Sequence, residues 1–382
     1  MRFLAVLALV PTLAFAQVEQ GPANADFRPA FVGQTRAPAL PATRLRVEAF
    51  TTGLERPWGI ARLPSGQFLV TERGGTMKLV GADGTVQGTI GGVPRVWANG
   101  QGGLLDVAVS PRFSEDRLVF WTYAKPVSGG AVTAAARGVL GADGQLGEVR
   151  DIFVQSDPGD AGQHFGSRIV VRGDGTVFIT TGDRTRQELP QDPASTVGKV
   201  IRLTWDGQVP ADNPFAGGGG DPAIWSLGHR NMQGATLGPD GALWTIEHGP
   251  RGGDELNRPQ AGRNYGWPVI SYGINYNGQN IGQGIAVRDG MEQPVYYWDP
   301  VIAPGGMAFY DGTYAPWRGD LLIGSLNPGA LVRLKMQGGR VVGEERLIDD
   351  AGRIRDVEVL PDGSVLVLKD AGWESILRLT PQ

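Results

Sequence analysis

One short phrase recurs along this chain and narrows what it can fold into. It consists of an apolar residue, a Pro or a Gly-Asp pair, a glycine, then alternating β-formers. It reads Leu63-Pro64-Ser65-Gly66-Gln67-Phe68-Leu69-Val70 and returns as Val171-Arg172-Gly173-Asp174-Gly175-Thr176-Val177-Phe178-Ile179. Leu237–Trp244 carries it with one extra glycine, and Leu360–Val367 repeats it again. Two looser copies begin at Ser110 and Trp317 and lead into Leu118–Trp121 and Leu321–Gly324. Asp-Gly supplies the positive-φ corner of a hairpin, and the strand that follows enters a core. The six copies lie 43 to 80 residues apart, a spacing suited to four-stranded propeller blades with loop insertions. The expected fold is therefore all-β, a six-bladed β-propeller of four-stranded antiparallel sheets, with Leu45–Phe50 pairing into the last blade to close the ring. A β-helix or a pair of sandwiches is the runner-up; these units are too long for the former.

Composition sets the outer bounds. Of 382 residues, 59 are glycine and 27 proline, an excess that alone would permit disorder. With 41% hydrophobic residues and a net charge of only −4, the chain instead has the means to bury a large core. The balance of 35 basic and 39 acidic residues gives no electrostatic footprint for nucleic acid. The absence of cysteine excludes a disulfide framework, a zinc ribbon and a thiol nucleophile. Only His164, His229 and His248 are histidines, so a histidine-rich metal site is nearly excluded. At the N-terminus, Met1-Arg2, the apolar run Phe3–Phe15 and the small-x-small pattern Ala14-Phe15-Ala16 read as a signal peptide over residues 1–16, cleaved before Gln17. Export to the periplasm or the medium follows. No other stretch approaches 18 apolar residues, so no membrane span is expected. Residues 17–44, rich in Pro and Ala, read as a linker or loosely held arm, with order beginning near Leu45 and the propeller domain occupying residues 45–382.

A propeller collects its chemistry on loops at one end of its channel, so the loops hold the candidates. Asn99–Asp106 brackets Gln101 with glycines that let backbone approach a ligand, or simply make a turn. Gly162–Arg168 contains His164, which is either a packed polar residue or a general base. Asp183, one hairpin later, would be delivered to the same rim and could orient it. Leu227–Gly234 holds His229, Arg230 and Asn231, a polar loop able to grip an anion or to form a surface salt bridge. Glu247–Asn257 is the densest segment. The backbone carbonyls around Gly249-Pro250, with carboxylates at Asp254 and Glu255, offer the hard oxygen ligands that Ca²⁺ prefers, or a polar turn. Finally, Arg353 and Arg355 alternate on a strand and so share a face. Two adjacent cations repel, so either solvent screens them or an anion lies between.

Taken in order, these segments resemble the soluble, pyrroloquinoline-quinone (PQQ)-dependent aldose sugar dehydrogenases of the glucose/sorbosone dehydrogenase family, over roughly residues 45–380. The resemblance implies a six-bladed propeller that holds the quinone at the channel mouth with Ca²⁺ on its reactive carbonyl, and an aldose as the substrate. It further implies His164 as the base that takes the C1 hydroxyl proton and Asp183 as its orienting acid. Gln101, Arg230 and Asn231 would contact cofactor and transition state, with Arg230 also counted among the catalytic groups. Gly249 and Pro250 would hold the catalytic Ca²⁺ through their carbonyls, and Glu255 and Tyr265 a structural Ca²⁺. Tyr276 and Trp298 would flank the quinone, and Arg353 and Arg355 would grip its carboxylates.

Two positions depart from the family pattern. Asn327 stands where the family often has a lysine on the cofactor, which removes one charge. Gln163 precedes the base where some relatives carry an acid, which bears on sugar preference. Two rival readings accompany the dehydrogenase: a non-catalytic exported propeller that binds sugar or protein, and a calcium-dependent sugar lactonase with carboxylate ligands on the channel axis. The electron acceptor is unknown from sequence, and the chain is expected as a monomer or homodimer.

Overall fold

The computed structural model describes residues 17–382; the signal-peptide reading of residues 1–16 lies outside the described residues. Six four-stranded antiparallel sheets are arranged in a ring. Blade 1 comprises Pro57–Arg62, Phe68–Glu72, Thr76–Val80 and Val86–Ile90. Blade 2 comprises Leu104–Val109, Leu118–Val127, Gly130–Leu140 and Leu146–Val154. Blade 3 holds Gly166–Val171, Thr176–Thr181, Lys199–Thr204 and Ile224–Leu227. Blade 4 holds Met232–Leu237, Leu243–Glu247, Asp254–Asn257 and Tyr296–Trp298. Blade 5 is built of Pro304–Phe309, Leu321–Ser325, Leu331–Gln337 and Arg340–Leu347. Blade 6 takes Ile354–Val359, Val365–Lys369 and Glu374–Pro381 from the C-terminus, and its outer strand Leu45–Thr52 from the other end of the chain.

That last pairing runs in register from Leu45 opposite Pro381 to Thr52 opposite Glu374, so ring closure is made by hydrogen bonds between the two ends of the chain. The recurring phrase marks the same place in every blade, the hairpin from innermost to second strand. In blade 1 the Gly66 N–H donates to the Leu63 carbonyl (2.9 Å) and the Leu63 N–H to Gln67 (2.8 Å). Asp174, Asp240 and Asp362 accept the backbone N–H two residues on in theirs, an Asx cap that fixes the corner. All six hairpins lie at one end of the ring. The segments entering each innermost strand therefore gather at the other end, which is where the candidate residues sit.

Apolar side chains on the blade faces meet their neighbours in six seams. Leu69, Met77, Trp121 and Ala136 fill the seam between blades 1 and 2, and Trp244, Ile246, Ile323 and Val332 that between blades 4 and 5. Among the described residues the seam between blades 3 and 4 has four buried apolar members, Phe178, Val200, Met232 and Leu243, and polar groups described below complete it. Residues 17–44 are not a loose arm. Asp299 accepts the N–H groups of Asn24 and Ala25, the fully buried Gln34 donates to the Pro294 carbonyl (3.0 Å), and Ala39 bridges Glu344 of blade 5. The Pro- and Ala-rich composition hid this, because the arm is held through backbone groups and has no periodicity of its own.

At the axis the innermost strands are tied by one guanidinium. Arg168 of blade 3 donates to Asp106 of blade 2 (2.9 Å), to the Gln233 carbonyl of blade 4 (2.6 Å) and to the Arg355 carbonyl of blade 6 (3.0 Å). It pairs with Asp356 of blade 6 (3.0 Å) and stacks on Trp58 of blade 1 (4.3 Å). Gly306 of blade 5 completes the circle: a Cβ there would lie 1.8 Å from Asp356 Oδ1 and 2.7 Å from the Arg168 guanidinium. Removing one member of a buried ion network leaves the others charged and unpaired, at a cost of about 3–5 kcal/mol. Arg168→Met is expected to lose roughly that much stability in urea unfolding, and Gly306→Ala, which keeps every charge but displaces them, to lose a comparable amount. A variant of either kind as stable as the parent would show that the tie contributes nothing.

Candidate active site

His164 and Asp183 reach the rim from either side of the first hairpin of blade 3. His164 Nδ1 lies 2.7 Å from Asp183 Oδ1. The same carboxylate accepts the Thr185 N–H (2.8 Å) and the indole N–H of Trp267 (2.8 Å). These donors keep Asp183 ionised: burial opposes ionisation, but the bond from His164, the charge of Arg230 and the Thr185 N–H together hold its carboxyl below the usual range. An acceptor carboxylate places the imidazole proton on Nδ1 and leaves the Nε2 lone pair free. Burial, the largest influence, draws the His164 imidazole below its ordinary pKa; the Asp183 bond pulls the other way, and Arg230 and Arg184 add to the lowering.

The backbone around the pair is strained, and the strain is enforced by contact. His164, Arg184 and Thr185 have φ of 54°, 52° and 62°, an uncommon region for residues with side chains that clusters at functional sites. Gly182 makes it possible, because a Cβ there would meet the His164 carbonyl oxygen at 2.0 Å. Gln101, from the segment entering blade 2, accepts the His164 N–H through Oε1 (2.9 Å). Three blades therefore determine where one imidazole sits.

Blade 4 supplies the facing wall. The Arg230 N–H donates to Glu247 Oε2 (2.6 Å), its guanidinium donates to the His248 carbonyl (3.0 Å), and it lies over the Trp267 ring (5.3 Å). Among the described residues its Nε is buried without a partner, as is Nε2 of His248. The Asn231 Oδ1 accepts the Gly166 N–H (3.1 Å), so this side chain locks blades 3 and 4 together. His229 is fully buried between Glu247 (3.0 Å) and Ser226 (2.9 Å) and stacks on Tyr265 (4.8 Å); it completes the thin seam and does not face the cleft. Gln101, His164, Asp183, Arg230, Pro250 and Tyr276 all line one cleft of about 360 Å³. Tyr276 overhangs it and is 74% exposed. Gln163, Thr185, Gln187 and Asn275 complete a largely uncharged, hydrogen-bonding wall.

Beneath the cleft a second cavity of about 10 Å³, room for one ion or water, is lined by Arg230, His248, Gly249, Pro250, Glu255 and Tyr265 among others. Asp254 fixes the loop above it by accepting N–H groups from Gly249 (2.8 Å), Ile302 (2.8 Å) and Ala303 (2.7 Å). Glu255 receives, among the described residues, one hydrogen bond, from Asn257 (3.3 Å). Burial, then the neighbouring Glu247, push its carboxyl well above the ordinary range. The Tyr265 hydroxyl is already engaged by the Arg258 carbonyl (2.7 Å) and the Gln260 N–H (3.1 Å).

The remaining candidates divide. Arg355 donates to Asp370 (2.6 and 3.1 Å) and to Gln233 (2.5 Å), and Arg353 donates to the same carboxylate (2.8 and 3.1 Å). The anion between the two cations is thus one of the chain's own, Asp370, and Arg353 stands just before the strand that begins at Ile354. Asn327 is exposed on the loop between the second and third strands of blade 5. Trp298 is not at the mouth. It is fully buried with its indole N–H toward Glu344 (3.3 Å), because strand alternation sends Tyr296 and Trp298 into the seam between blades 4 and 5 while Tyr297 turns outward onto Tyr272 (3.9 Å). Trp267, which binds both Asp183 and Arg230, was not singled out from sequence; the Tyr265-Gly266-Trp267-Pro268 run gives no sign of how far the loop folds back.

Comparison with known proteins agrees with this architecture. The Glucose / Sorbosone dehydrogenase family matches residues 54–378. Aldose sugar dehydrogenase YliI of Escherichia coli (strain K12) is 41% identical over 352 residues, covering 90% of this chain and 95% of that protein. The apo crystal structure of the soluble aldose sugar dehydrogenase (Asd) from Escherichia coli superposes with a TM-score of 0.85 at 40% identity, covering 89% of this chain and all of that one. The PQQ-bound aldose sugar dehydrogenase (Adh) of Streptomyces coelicolor gives 0.75 at 28% identity, covering 90% of this chain and 100% of that one. The ring of six blades, the order of the site segments and these matches together show that the chain belongs to the glucose/sorbosone dehydrogenase family.

Proposed function

We propose that this chain is an exported, PQQ- and Ca²⁺-dependent aldose dehydrogenase that oxidises the C1 hydroxyl of a sugar to the lactone. The observation that carries the reading is the His164–Asp183 pair, with its free Nε2, opening on the same cleft as Arg230 and Pro250. A lone pair on a histidine held neutral is what removal of a hydroxyl proton requires. Nε2 takes that proton; Asp183 holds the ring and stabilises the charge it acquires. The sugar loses, in all, that proton and a hydride. PQQ, when bound and polarised by Ca²⁺, supplies the hydride acceptor. The uncharged wall of Gln163, Thr185, Gln187 and Asn275 suits a neutral polyol.

The residues present fit both groups. A buried guanidinium whose Nε has no partner among the described residues (Arg230) and two arginines sharing one carboxylate leave positive charge for a polycarboxylate. The carbonyls of Gly249 and Pro250 fit the catalytic Ca²⁺. Glu255, buried beside Glu247 over an ion-sized cavity, fits a second. A lactonase whose metal is held by axial carboxylates finds no support here, because Asp106 and Asp356 are both taken by Arg168. Export rests on Met1–Ala16. Among the described residues no helix is long and apolar enough to cross a membrane.

Apo-protein mixed with PQQ, Ca²⁺, an aldose and a dye acceptor is expected to reduce the dye; quinone binding without turnover on any aldose would sink the reading. His164→Ala should bind the quinone as the parent does and turn over about 10²–10⁴-fold more slowly. The direction of the His164 shift fixes the pH profile. The base stays neutral until the pH falls through a pKa below the ordinary 6.5, so the acid limb of kcat/KM is expected below pH 6.5. A limb above 6.5 would assign the proton transfer to another group. Ca²⁺ should raise Tm with a concentration dependence set by its binding. Glu255→Gln should remove much of that rise without lowering the metal-free Tm, since the replaced carboxyl is buried beside Glu247 with a single long hydrogen bond from Asn257 among the described residues; equal Ca²⁺-induced shifts in both proteins would exclude Glu255 as a ligand.

A further inference from the structure

Basic residues concentrate at one corner of the channel mouth, and one of them has no place in the site so far described. Arg73, on the turn after Glu72 in blade 1, donates from its guanidinium to the Gly100 carbonyl, next to Gln101. Its main chain is fixed on both sides: the Arg73 N–H donates to the Arg56 carbonyl (3.1 Å) and the Leu104 N–H to the Arg73 carbonyl (3.3 Å). Its Nε is buried and has no partner among the described residues. The charges close enough to act on it are Arg56, Arg353 and Asp370, and burial with two cations against one carboxylate draws its pKa down. Asp370 is already divided between Arg353 and Arg355. Asp370 is thus held by two guanidinium groups, those of Arg353 and Arg355, and Arg73, with Arg56 beside it, adds cations to the same corner without a carboxylate of its own.

Such an excess of positive charge is costly by itself and is relieved by an anion. The other side of the corner is neutral. The loop of Asn327 packs there, with Gly329 so near that a Cβ on it would meet the Gly352 carbonyl at 2.6 Å, and Asn327 itself carries no charge. We infer that Arg73 is a further cofactor-binding residue, a third arm of the carboxylate clamp that Arg353 and Arg355 begin. This rests on the quinone reading above. It adds that the clamp draws its charge from blade 1 as well as blade 6, and that the bond to Gly100 aims the guanidinium at the mouth while steadying the Gln101 loop.

Charge can be separated from hydrogen bonding at this position. Arg73→Gln keeps a donor for Gly100 and removes the charge; Arg73→Lys keeps the charge. PQQ affinity, followed by absorbance titration of Ca²⁺-loaded protein without substrate, is expected to fall about 10- to 100-fold in Arg73→Gln, the loss of one charge-assisted bond. It should fall only a few-fold in Arg73→Lys. Raising salt should weaken PQQ binding less steeply in Arg73→Gln than in the parent. Asn327→Lys in the Arg73→Gln background, restoring a cation from the opposite side, should recover much of the affinity, which a purely structural defect would not allow. Equal affinity in Arg73→Gln and parent, or equal weakening in Arg73→Gln and Arg73→Lys with no recovery by Asn327→Lys, would overturn the assignment. Parent protein that binds PQQ tightly while these variants do likewise refutes the clamp alone; a parent that binds none refutes the quinone reading and the clamp with it.

Discussion

A single guanidinium makes six sheets into one site. Arg168 touches or abuts every blade at the axis, and its ion pairs with Asp106 and Asp356 are deeply buried. Burial of those charges is expensive: it raises the Asp106 carboxyl to about 6, with Arg168 opposing the rise and Asp356 adding to it. What the arrangement gains is definition. The innermost strands cannot rotate or slide without unpairing a charge. The loops just above them, which enter blades 2, 3, 4 and 6 and carry Gln101, His164, Arg230 and Arg353, are fixed by the same constraint.

The site itself is built around the placement of one ring. His164 opens on the cleft, and Asp183, Trp267 and Gln101, which line it as well, set its ring, its proton and its backbone from three directions. Across the cleft, Glu247 receives the Arg230 N–H and also binds His229 and Asn257. One buried carboxylate thus joins the facing wall to the seam behind it. The thin apolar contact between blades 3 and 4 is explained by this traffic: polar residues that orient the site occupy space that Leu and Val fill in other seams.

Much of this was legible in the sequence. The repeated turn located every inner hairpin, because a positive-φ corner followed by a buried strand leaves a local signature that tertiary context does not erase. Leu45–Phe50 could be assigned to the last blade because an unpaired edge strand needs a partner. His164, Asp183 and Arg230 stood out because polar residues beside glycines, at strand entrances, are odd for plain turns. Long-range choices were less visible. Trp298 went astray through one step of strand parity. The carboxylate that Arg353 and Arg355 share was not visible, because nothing near them in sequence announces Asp370, fifteen residues beyond Arg355. Trp267 and Arg73 act through loops that fold back, and the arm over residues 17–44 docks through backbone amides, which composition cannot display.

The sheet that joins the first strand to the last has a consequence for how the molecule can be cut. Since Leu45–Thr52 and Glu374–Pro381 are neighbours, the natural start and finish of the fold are a local accident of one blade. The lower hairpins, remote from the cleft, offer equivalent places to open the backbone. A circularly permuted chain, joined across blade 6 and begun anew at the turn near Asp240, would retain the wheel and its chemistry while moving the seam of closure to another spoke.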